Sequence, residues 1–434
     1  MTQKVLVLGG GTAGLLSGIA LLQLAPGAEV TVVRSSALSH IMVGEGTFAD
    51  TPRMLHGPLG VPRDEFLAST NPTVKLGIRF EWGPRPYFDY PFEEDFDNQI
   101  LPGPDKPWGY YHLTDARDES PFPATTRRTR VGYHVENQRF VEYLEGFFEQ
   151  LGGDLVEGKV IGAERSDAGL DCVLIEGGAR MSADLYVDAS GFRGELIHRT
   201  LGEPYVSMRD HLFCDRAVVG GWQRGDEPIQ LYTTVETMDS GWAWQIEHEH
   251  LVNRGYVYCS AFADDEEASA EFLRKNPLVA PATLRVIRFE TRRIRRSWVG
   301  NVVAVGNSCG FIEPLEATNL QLICQQAMRL AETVATSGPS GAEAIDAYNE
   351  AVTEQWIDIQ DFLAMHYRFN TRLNTPFWKM ARNDTPLGNL EPYIEEYKRS
   401  GPVLMGQRNS MFGVDGHLAI LLGMRVPWRE TGVR

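Results

Sequence analysis

A glycine-rich turn near the start of the chain constrains the fold more than any other feature. An apolar run over residues 4–8 leads into Gly9-Gly10-Gly11-Thr12-Ala13-Gly14, and residues 12–24 then have the apolar composition of a buried helix. A second apolar run at 28–33 completes a strand–helix–strand unit. The glycines permit a tight turn and close backbone approach, and the helix N-terminus offers N–H groups to a pyrophosphate. The predicted dinucleotide contacts are Gly9, Gly11, Thr12, Ala13 and Gly14.

The end of the second predicted strand departs from the usual dinucleotide-binding pattern. An acidic residue about 20 positions after the glycines normally holds the adenosine ribose. This chain has Arg34 there. A positive side chain is compatible with the 2′-phosphate of NADPH, but the other motifs of the chain argue against NADPH. We count Arg34 among the cofactor-binding residues because of its position after the glycine turn. The sequence does not show what replaces the acid.

Two strand-end segments farther along the chain favour FAD. Asp188-Ala189-Ser190-Gly191 follows a short apolar run, and Gly306-Asn307 follows the buried strand predicted over 301–305. Both resemble segments of FAD-dependent monooxygenases, in which the second strand ends in Gly-Asp and contacts the ribityl chain. Asparagine can also hydrogen-bond a hydroxyl group. We therefore add Asp188, Gly306 and Asn307 to the predicted FAD contacts.

These regions predict an α/β fold in three parts. The first is a discontinuous, doubly wound FAD-binding (Rossmann-like) domain over residues 1–75, 130–200 and 295–345. The second is an inserted antiparallel-sheet region for substrate over 76–129 and 201–294, and the third is a helical and irregular C-terminal region over 346–434.

Bulk properties exclude several classes of protein. The formal net charge of −17 argues against a nucleic-acid partner, and no apolar run reaches the roughly 18 residues of a membrane span. The five cysteines are scattered, without a CxxC pair or a Cys/His metal spacing, which predicts buried thiols in a reducing cytoplasm and no metal. The start of the chain does not read as a signal peptide. We therefore expect a cytoplasmic protein.

Several motifs resemble the flavin-dependent tryptophan halogenase family. Residues 306–318, from Gly306-Asn307 through Glu313-Pro314-Leu315-Glu316-Ala317-Thr318, are similar to that family's GN-x-x-GF-x-EPLEST stretch. The family's other motifs also occur here in the right order. They are Val43-Gly44-Glu45-Gly46-Thr47, Trp242-Ala243-Trp244-Gln245-Ile246, His366-Tyr367 and Thr375-Pro376-Phe377-Trp378.

The resemblance implies a chemistry and a set of site residues. In that family, reduced FAD and O₂ form a flavin C4a-hydroperoxide, a halide attacks it, and the hypohalite travels to a lysine beside the substrate. The matching lysine is Lys75, and the matching glutamate is Glu316. Alternation over residues 74–82 puts Lys75 on the polar face of a predicted strand, where a lysine is ordinarily solvated. The resemblance also assigns Glu45, Thr318 and Asn319 to the cofactor and halide region.

Three departures from the family pattern bear on the reaction. The WxWxIP motif ends in Glu247 instead of proline, and its two indoles, Trp242 and Trp244, share a strand face in the predicted substrate pocket. A Glu247 that faced the flavin would repel a halide, whereas one that faced solvent would not. After Glu316, serine is replaced by Ala317 and glycine by Asn319. Asparagine tolerates the left-handed backbone of a glycine position, but its side chain occupies space that glycine leaves open, which disfavours a halide pocket.

These departures lead us to expect an FAD-dependent monooxygenase that hydroxylates an electron-rich aromatic. The expected substrate is an indole or tryptophan, including a tryptophan within a protein or peptide, as in the maturases of quinohaemoprotein amine dehydrogenase. Lys75 would hydrogen-bond the substrate or the hydroperoxide, and Glu316 would act as a base toward the indole N–H or a ring proton. The alternatives are a flavin-dependent halogenase of tryptophan or another aromatic, and a non-oxygenating flavoprotein reductase or oxidase.

The expected cosubstrates are reduced FAD and O₂. Because the chain has no second GxGxxG motif for NAD(P)H, we expect a separate flavin reductase as a partner. The position of Arg34 leaves direct use of NADPH open.

Overall fold

The computed structural model describes residues 3–36, 44–92, 131–167, 169–338, 341–401 and 410–429. Within these ranges, strands and helices are numbered in chain order. Of the predicted substrate region, residues 93–129 lie outside the described ranges.

The first sheet carries the predicted strand–helix–strand unit. Its six strands are β1 (Gln3–Leu8), β2 (Ala28–Arg34), β8 (Asp154–Glu157), β12 (Leu185–Asp188), β20 (Trp298–Val299) and β21 (Val302–Ala304). The order is β20-β21-β12-β1-β2-β8, and all neighbours are parallel except β20 and β21. The carboxyl ends of the parallel strands therefore meet at one edge, where such sheets bind their ligands.

The second sheet has seven strands and forms the predicted insertion. They are β5 (Gly77–Glu81), β6 (Phe88–Pro91), β14 (Arg216–Gln223), β15 (Thr233–Met238), β16 (Gly241–Glu247), β17 (Leu251–Tyr258) and β18 (Arg285–Arg288). Their order is β18-β14-β17-β16-β15-β5-β6. Only the β15–β5 pair is parallel, so this sheet is essentially antiparallel, as predicted.

Three small sheets connect the larger units. Their strands are β3 (Glu45–Gly46), β7 (Gly132–Val135) and β4 (Thr73–Lys75); β11 (Arg180–Met181), β10 (Gly169–Ile175) and β9 (Val160–Ser166); and β13 (Tyr205–Ser207), β19 (Arg292–Ile294) and β22 (Gly310–Phe311). In the first of them, β3 and β4 pair with opposite sides of β7, so that Gly46 and Thr73 are both opposite His134.

The expectation of one continuous strand over residues 74–82 is wrong. The chain changes partner at Leu76, whose N–H donates to Leu231 O at 2.7 Å while its carbonyl accepts from Phe92 N at 2.9 Å. Lys75 therefore belongs to a small sheet, and the strand that follows belongs to the seven-stranded one.

The described helices cover the parallel sheet and build the C-terminal region. They are α1 (Thr12–Leu24), α2 (Thr51–His56), α3 (Arg63–Thr70), α4 (Asn137–Gln150), α5 (Asp265–Lys275), α6 (Asn319–Ser337), α7 (Ala342–Phe369), α8 (Pro376–Asp384), α9 (Glu391–Ser400) and α10 (Gly413–Gly423). Helix α1 packs against α6 and α4, which explains why it is apolar almost all round. Within the described ranges, no helix has both the length and the apolar content to cross a bilayer.

The predicted fold class is confirmed: a doubly wound sheet, an antiparallel insertion and a helical C-terminal region are all present. All five cysteines are free and buried, as the scattered spacing predicted. The proposed domain limits stay a prediction.

Candidate functional site

A cavity of about 660 Å³ runs from the glycine turn, along the carboxyl edge of the parallel sheet, to the face of the seven-stranded sheet. Residues from the predicted FAD segments and from the predicted catalytic region share its wall. They include Gly9, Gly11, Thr12, Ala13, Arg34, Glu45, Lys75, Ala189, Ser190, Gly191, Trp244, Asn307, Ala317 and Asn319.

Three glycines allow the close backbone approach that forms a cradle at one end of the cavity, and of these Gly9 lines the wall whereas Gly14 and Gly306 lie behind it. Gly9 has a φ of 122°, and a Cβ on it would lie 2.3 Å from Ala189 O. A Cβ on Gly14 would lie 1.9 Å from Gly9 O, and one on Gly306, with a φ of 58°, would lie 2.6 Å from Ala13 Cβ. Because these three positions lack a Cβ, the ends of three strands can lie directly against the start of helix α1.

The cradle fits the pyrophosphate and ribityl parts of FAD. The Leu15 N–H makes a helical hydrogen bond to Gly11 O at 3.0 Å, so the N–H groups just before Leu15 remain for an anion. Asn307 lines the cavity, and its buried Oδ1 has no hydrogen-bond partner among the described residues. An acceptor left in this state suits a ligand hydroxyl group.

Asp188 does not line the cavity, and its carboxylate instead accepts hydrogen bonds from the loop that follows it. Its Oδ1 accepts from Ser190 N at 3.1 Å and Ser190 Oγ at 2.6 Å, and its Oδ2 accepts from Leu196 N at 2.8 Å and Ile197 N at 2.9 Å. Both carboxylate oxygens are therefore engaged by the loop that follows β12. Asp188 orders that loop, and the next three residues form the wall.

Arg34 and Glu45 both line the cavity, but their partners differ. Arg34 forms an ion pair with Glu145 and lies 3.8 Å from Glu157, so its charge is balanced by carboxylates. These ion pairs do not favour a 2′-phosphate site at Arg34, which the sequence had left open. Glu45 Oε1 accepts from Asn137 Nδ2 at 2.6 Å, and burial raises the pKa of Glu45 to about 7.

Lys75 is fully buried, not solvated on a strand face as its alternation pattern suggested. Its Nζ has no hydrogen-bond partner among the described residues and lies 5.1 Å from the ring centroid of Phe92. Burial lowers the pKa of Lys75 to about 7, against the opposing attraction of Glu316. A substantial fraction of its amine is therefore neutral near pH 7.

The motif around Gly46 places Lys75 beside the segment that follows Glu316. A Cβ on Gly46 would lie 3.3 Å from Lys75 Nζ and 3.4 Å from Ala317 Cβ. Three segments more than 25 residues apart thus meet where the cavity ends. Val43, the first residue of the Gly46 motif, lies outside the described ranges.

Glu316 is fully buried and held by a histidine that we did not predict as a site residue. Its Oε1 lies 2.7 Å from His366 Nε2, while its Oε2 has no partner among the described residues. His366 Nδ1 donates to Phe362 O at 2.9 Å, because a carbonyl can only accept. Burial raises the pKa of Glu316, and His366 and Lys75 oppose that rise. The His366-Tyr367 motif was the available sequence signal.

The two indoles of the WxW motif have different surroundings. Trp244 lines the cavity and packs on Gly255, where a Cβ would lie 2.5 Å from the indole ring. Trp242 is fully buried in the core, and its Nε1 donates to Glu313 Oε2 at 2.7 Å. Tyr367 OH donates to the same oxygen at 2.6 Å. Burial raises the pKa of Glu313 to about 7, and we did not predict this residue as part of the site.

Glu247 faces neither the cavity nor solvent. It is 2% exposed, forms an ion pair with Arg224, and accepts a hydrogen bond from Gln245 Nε2 at 2.6 Å. It is not part of the cavity wall. The repulsion of a halide by Glu247, on which our preference for hydroxylation partly rested, therefore has no structural basis.

The backbone after Glu316 also differs from our expectation. The left-handed residue is Ala317, with a φ of 55°, whereas Asn319 is the first residue of helix α6. Thr318 is buried outside the cavity wall. The N–H groups of Thr318 and Asn319 have no acceptor among the described residues, so they resemble the donors that helix N-termini offer to anions.

Comparison with known proteins identifies the family. The profile of the family described as tryptophan halogenase matches residues 4–432. The chain belongs to the tryptophan halogenase family. The resemblance drawn from the motifs is thereby confirmed over nearly the whole chain.

Individual tryptophan halogenases show the same relationship. Tryptophan 7-halogenase KtzQ from Kutzneria sp. (strain 744) is 30% identical over 442 residues, which cover 92% of this chain and 82% of KtzQ. The structure of tryptophan 6-halogenase SttH from Streptomyces toxytricini has a TM-score of 0.89 at 28% identity, covering 99% of this chain and 92% of SttH. The structure of MibH, a lanthipeptide tryptophan 5-halogenase, has a TM-score of 0.85 at 34% identity, covering 99% of this chain and 86% of MibH. These relatives favour our halogenase alternative over the hydroxylase interpretation.

Proposed function

We propose that this protein is a flavin-dependent halogenase that acts on the indole of tryptophan, free or within a peptide. The observation that carries the proposal is the pair Lys75 and Glu316. Both are fully buried, and each has a polar atom without a hydrogen-bond partner among the described residues. Lys75 lines the cavity that fits FAD, and Glu316 lies close enough to attract its charge. Groups left unsatisfied in this way are typical of reaction sites.

The cofactor would occupy the cradle made by the glycine turn, residues 189–191 and Asn307. Reduced FAD bound there would supply the activation of O₂ that oxidation of a halide requires. The flavin reductase that we expect as a partner would deliver this reduced FAD.

The halide is expected near the N-terminus of helix α6. The free N–H groups of Thr318 and Asn319 and the helix dipole favour an anion. These donors belong to the backbone, so replacing the family's serine and glycine by Ala317 and Asn319 does not remove them.

Lys75 lies between the cavity and a group of aromatic rings, which we call the aromatic cluster. The cluster consists of Phe48, Tyr90, Phe92, Phe362 and Phe412. An indole bound beside these rings would meet the amine of Lys75, which would hold the oxidised halogen by a hydrogen bond. The apolar rings exclude water, which would otherwise consume that reagent.

Glu316 would remove the ring proton that halogen substitution displaces. Its free Oε2 is the accepting atom, and His366 fixes the carboxylate through Oε1. Because burial raises the pKa of Glu316, the carboxylate is a stronger base than an exposed glutamate.

The test supplies the protein with reduced FAD from a reductase, O₂ and bromide, together with tryptophan or a tryptophan-containing peptide. The expected product carries one bromine, recognised by its isotope doublet in the mass spectrum. Lys75→Met and Glu316→Gln should lose it while still binding FAD. Insertion of oxygen without bromine would support the hydroxylase interpretation instead, and reoxidation of flavin without either product would support the non-oxygenating one.

A further inference from the structure

The acid that usually binds the adenosine ribose is missing from strand β2, and helix α4 supplies one at the same place. Glu145 of α4 lines the cavity beside Arg34, and Arg34 Nη1 donates to Glu145 Oε1. We propose that Glu145, positioned by Arg34, binds the hydroxyl groups of the adenosine ribose of FAD. This inference rests on the proposed use of FAD.

The location of Arg34 identifies this part of the cavity as the adenosine end. A Cβ on Gly10 would lie 2.5 Å from Arg34 Cβ, so Arg34 lies directly against the phosphate-binding turn. It also ends strand β2, the position from which an acid normally reaches the ribose. The opposite end of the cavity holds Lys75 and Trp244.

The charges at this end favour a hydroxyl group over a phosphate. Arg34 is paired with Glu145 and also lies 3.8 Å from Glu157, so two carboxylates surround one guanidinium. Lys159, which also lines the wall, lies 3.4 Å from Glu176. A 2′-phosphate would meet a local excess of negative charge, whereas hydroxyl groups donate readily to a carboxylate.

Glu145 has a free atom for this role. Its Oε1 is engaged by Arg34, and no described residue donates to its Oε2. The side chain is 17% exposed, so it is held in the wall yet can be reached by a ligand. Glu157 differs: it is 53% exposed, its Oε1 accepts from Ser36 N at 2.7 Å, and it is not part of the wall.

The experiment measures the binding of nucleotides to the full chain by titration calorimetry. Wild-type protein should bind ADP about tenfold more tightly than 2′,3′-dideoxy-ADP, the effect of one charge-assisted hydrogen bond. Glu145→Gln should remove that preference. It should also weaken FAD binding by about tenfold while FMN, which lacks adenosine, binds within about twofold of wild type. Glu157→Gln is the matched control, because it also removes one negative charge beside Arg34, but at a residue that does not line the cavity.

Several results would overturn the inference. They are an unchanged preference for ADP in Glu145→Gln, equal affinity of the wild type for FAD and FMN, or tighter binding of 2′,5′-ADP than of ADP. Glu145→Asp, which keeps the charge but shortens its reach, should fold and still lose part of the preference, and unfolding without nucleotide checks each variant. These measurements need no halide, so a failed bromination assay with the expected binding pattern would refute only the proposed reaction.

Discussion

Replacing Lys75 with methionine should make the protein more stable while abolishing its reaction. Lys75 is fully buried, and its pKa is lowered from 10.5 to about 7. At about 1.36 kcal/mol per pKa unit, that shift corresponds to a destabilisation of about 5 kcal/mol. Methionine has a similar length, no charge and flexible packing, so it removes the destabilisation without leaving a large void.

The sign of the pH dependence follows from the direction of the pKa shift. Between pH 7 and 10.5, the unfolded chain holds a proton that folded Lys75 releases, so the wild-type protein gains stability as the pH rises. The stability advantage of Lys75→Met should therefore be greatest at pH values below 7, and it should be about 2 kcal/mol smaller at pH 9 than at pH 7. Loss of the lysine also raises the pKa of Glu316, so the variant loses stability as the pH rises. This change further reduces the stability advantage of Lys75→Met at pH 9.

The assay is urea unfolding followed by tryptophan fluorescence at pH 7 and pH 9. Lys379→Met, at an exposed position, is the matched control and should show no pH-dependent difference from wild type. An advantage of Lys75→Met that is the same at both pH values would refute the reasoning, as would a variant less stable than wild type at pH 7. The combined gain in stability and loss of turnover would mark Lys75 as a residue whose function opposes stability.

Three further substitutions test other parts of the site. His366→Asn removes a group that lowers the pKa of Glu316, so the acid limb of the pH–rate profile should move to higher pH. Arg224→Met leaves the Glu247 carboxylate buried without its ion pair and should lower the free energy of unfolding by about 3–5 kcal/mol in urea titrations. Gly306→Ala should weaken FAD binding, measured by flavin fluorescence, and lower stability by about 1–2 kcal/mol or more, because a left-handed alanine is strained.

Each substitution has a control variant that tests whether the stated cause, and not a general effect of mutation, explains the result. His250→Asn, on an exposed histidine, should leave the pH–rate profile unchanged, and an equal shift there would contradict the role of His366. Adding Glu247→Gln to Arg224→Met should restore most of the lost stability; no recovery would mean that charge burial is not the cause. Gly338 has a φ of 68°, and no described residue lies within 4 Å of its Cβ position, so Gly338→Ala should lose stability but keep FAD affinity.

Local sequence patterns correctly predicted the secondary-structure elements that depend only on residues close together in the chain. The helix expected over residues 12–24 is Thr12–Leu24, and the strand expected over 28–33 is Ala28–Arg34. Apolar periodicity and glycine steric freedom act over a few residues, so they can be read along the chain. The family motifs likewise identified Lys75 and Glu316 as candidates before their positions were known.

The burial of individual side chains and the identity of their partners could not be predicted from such local patterns. Alternation placed Lys75 on a polar strand face, but a change of hydrogen-bond partner at Leu76 buries it against Phe92. Glu247 was expected to face either flavin or solvent, and Arg224, 23 residues away, pairs with it instead. In each case the deciding contact comes from a residue just outside the end of another strand.

The sequence alone determined that a glycine turn joins a strand to a buried helix, and that this turn belongs to a tryptophan-halogenase-like flavoprotein. Only the tertiary structure placed Glu145 beside Arg34, 111 residues away, and His366 on Glu316, 50 residues away. Glycine geometry is a property of neighbouring residues, whereas the charge state and reach of a side chain depend on whatever the fold packs against it. The site therefore shows its chemistry only after distant segments have met at the carboxyl edge of the parallel sheet.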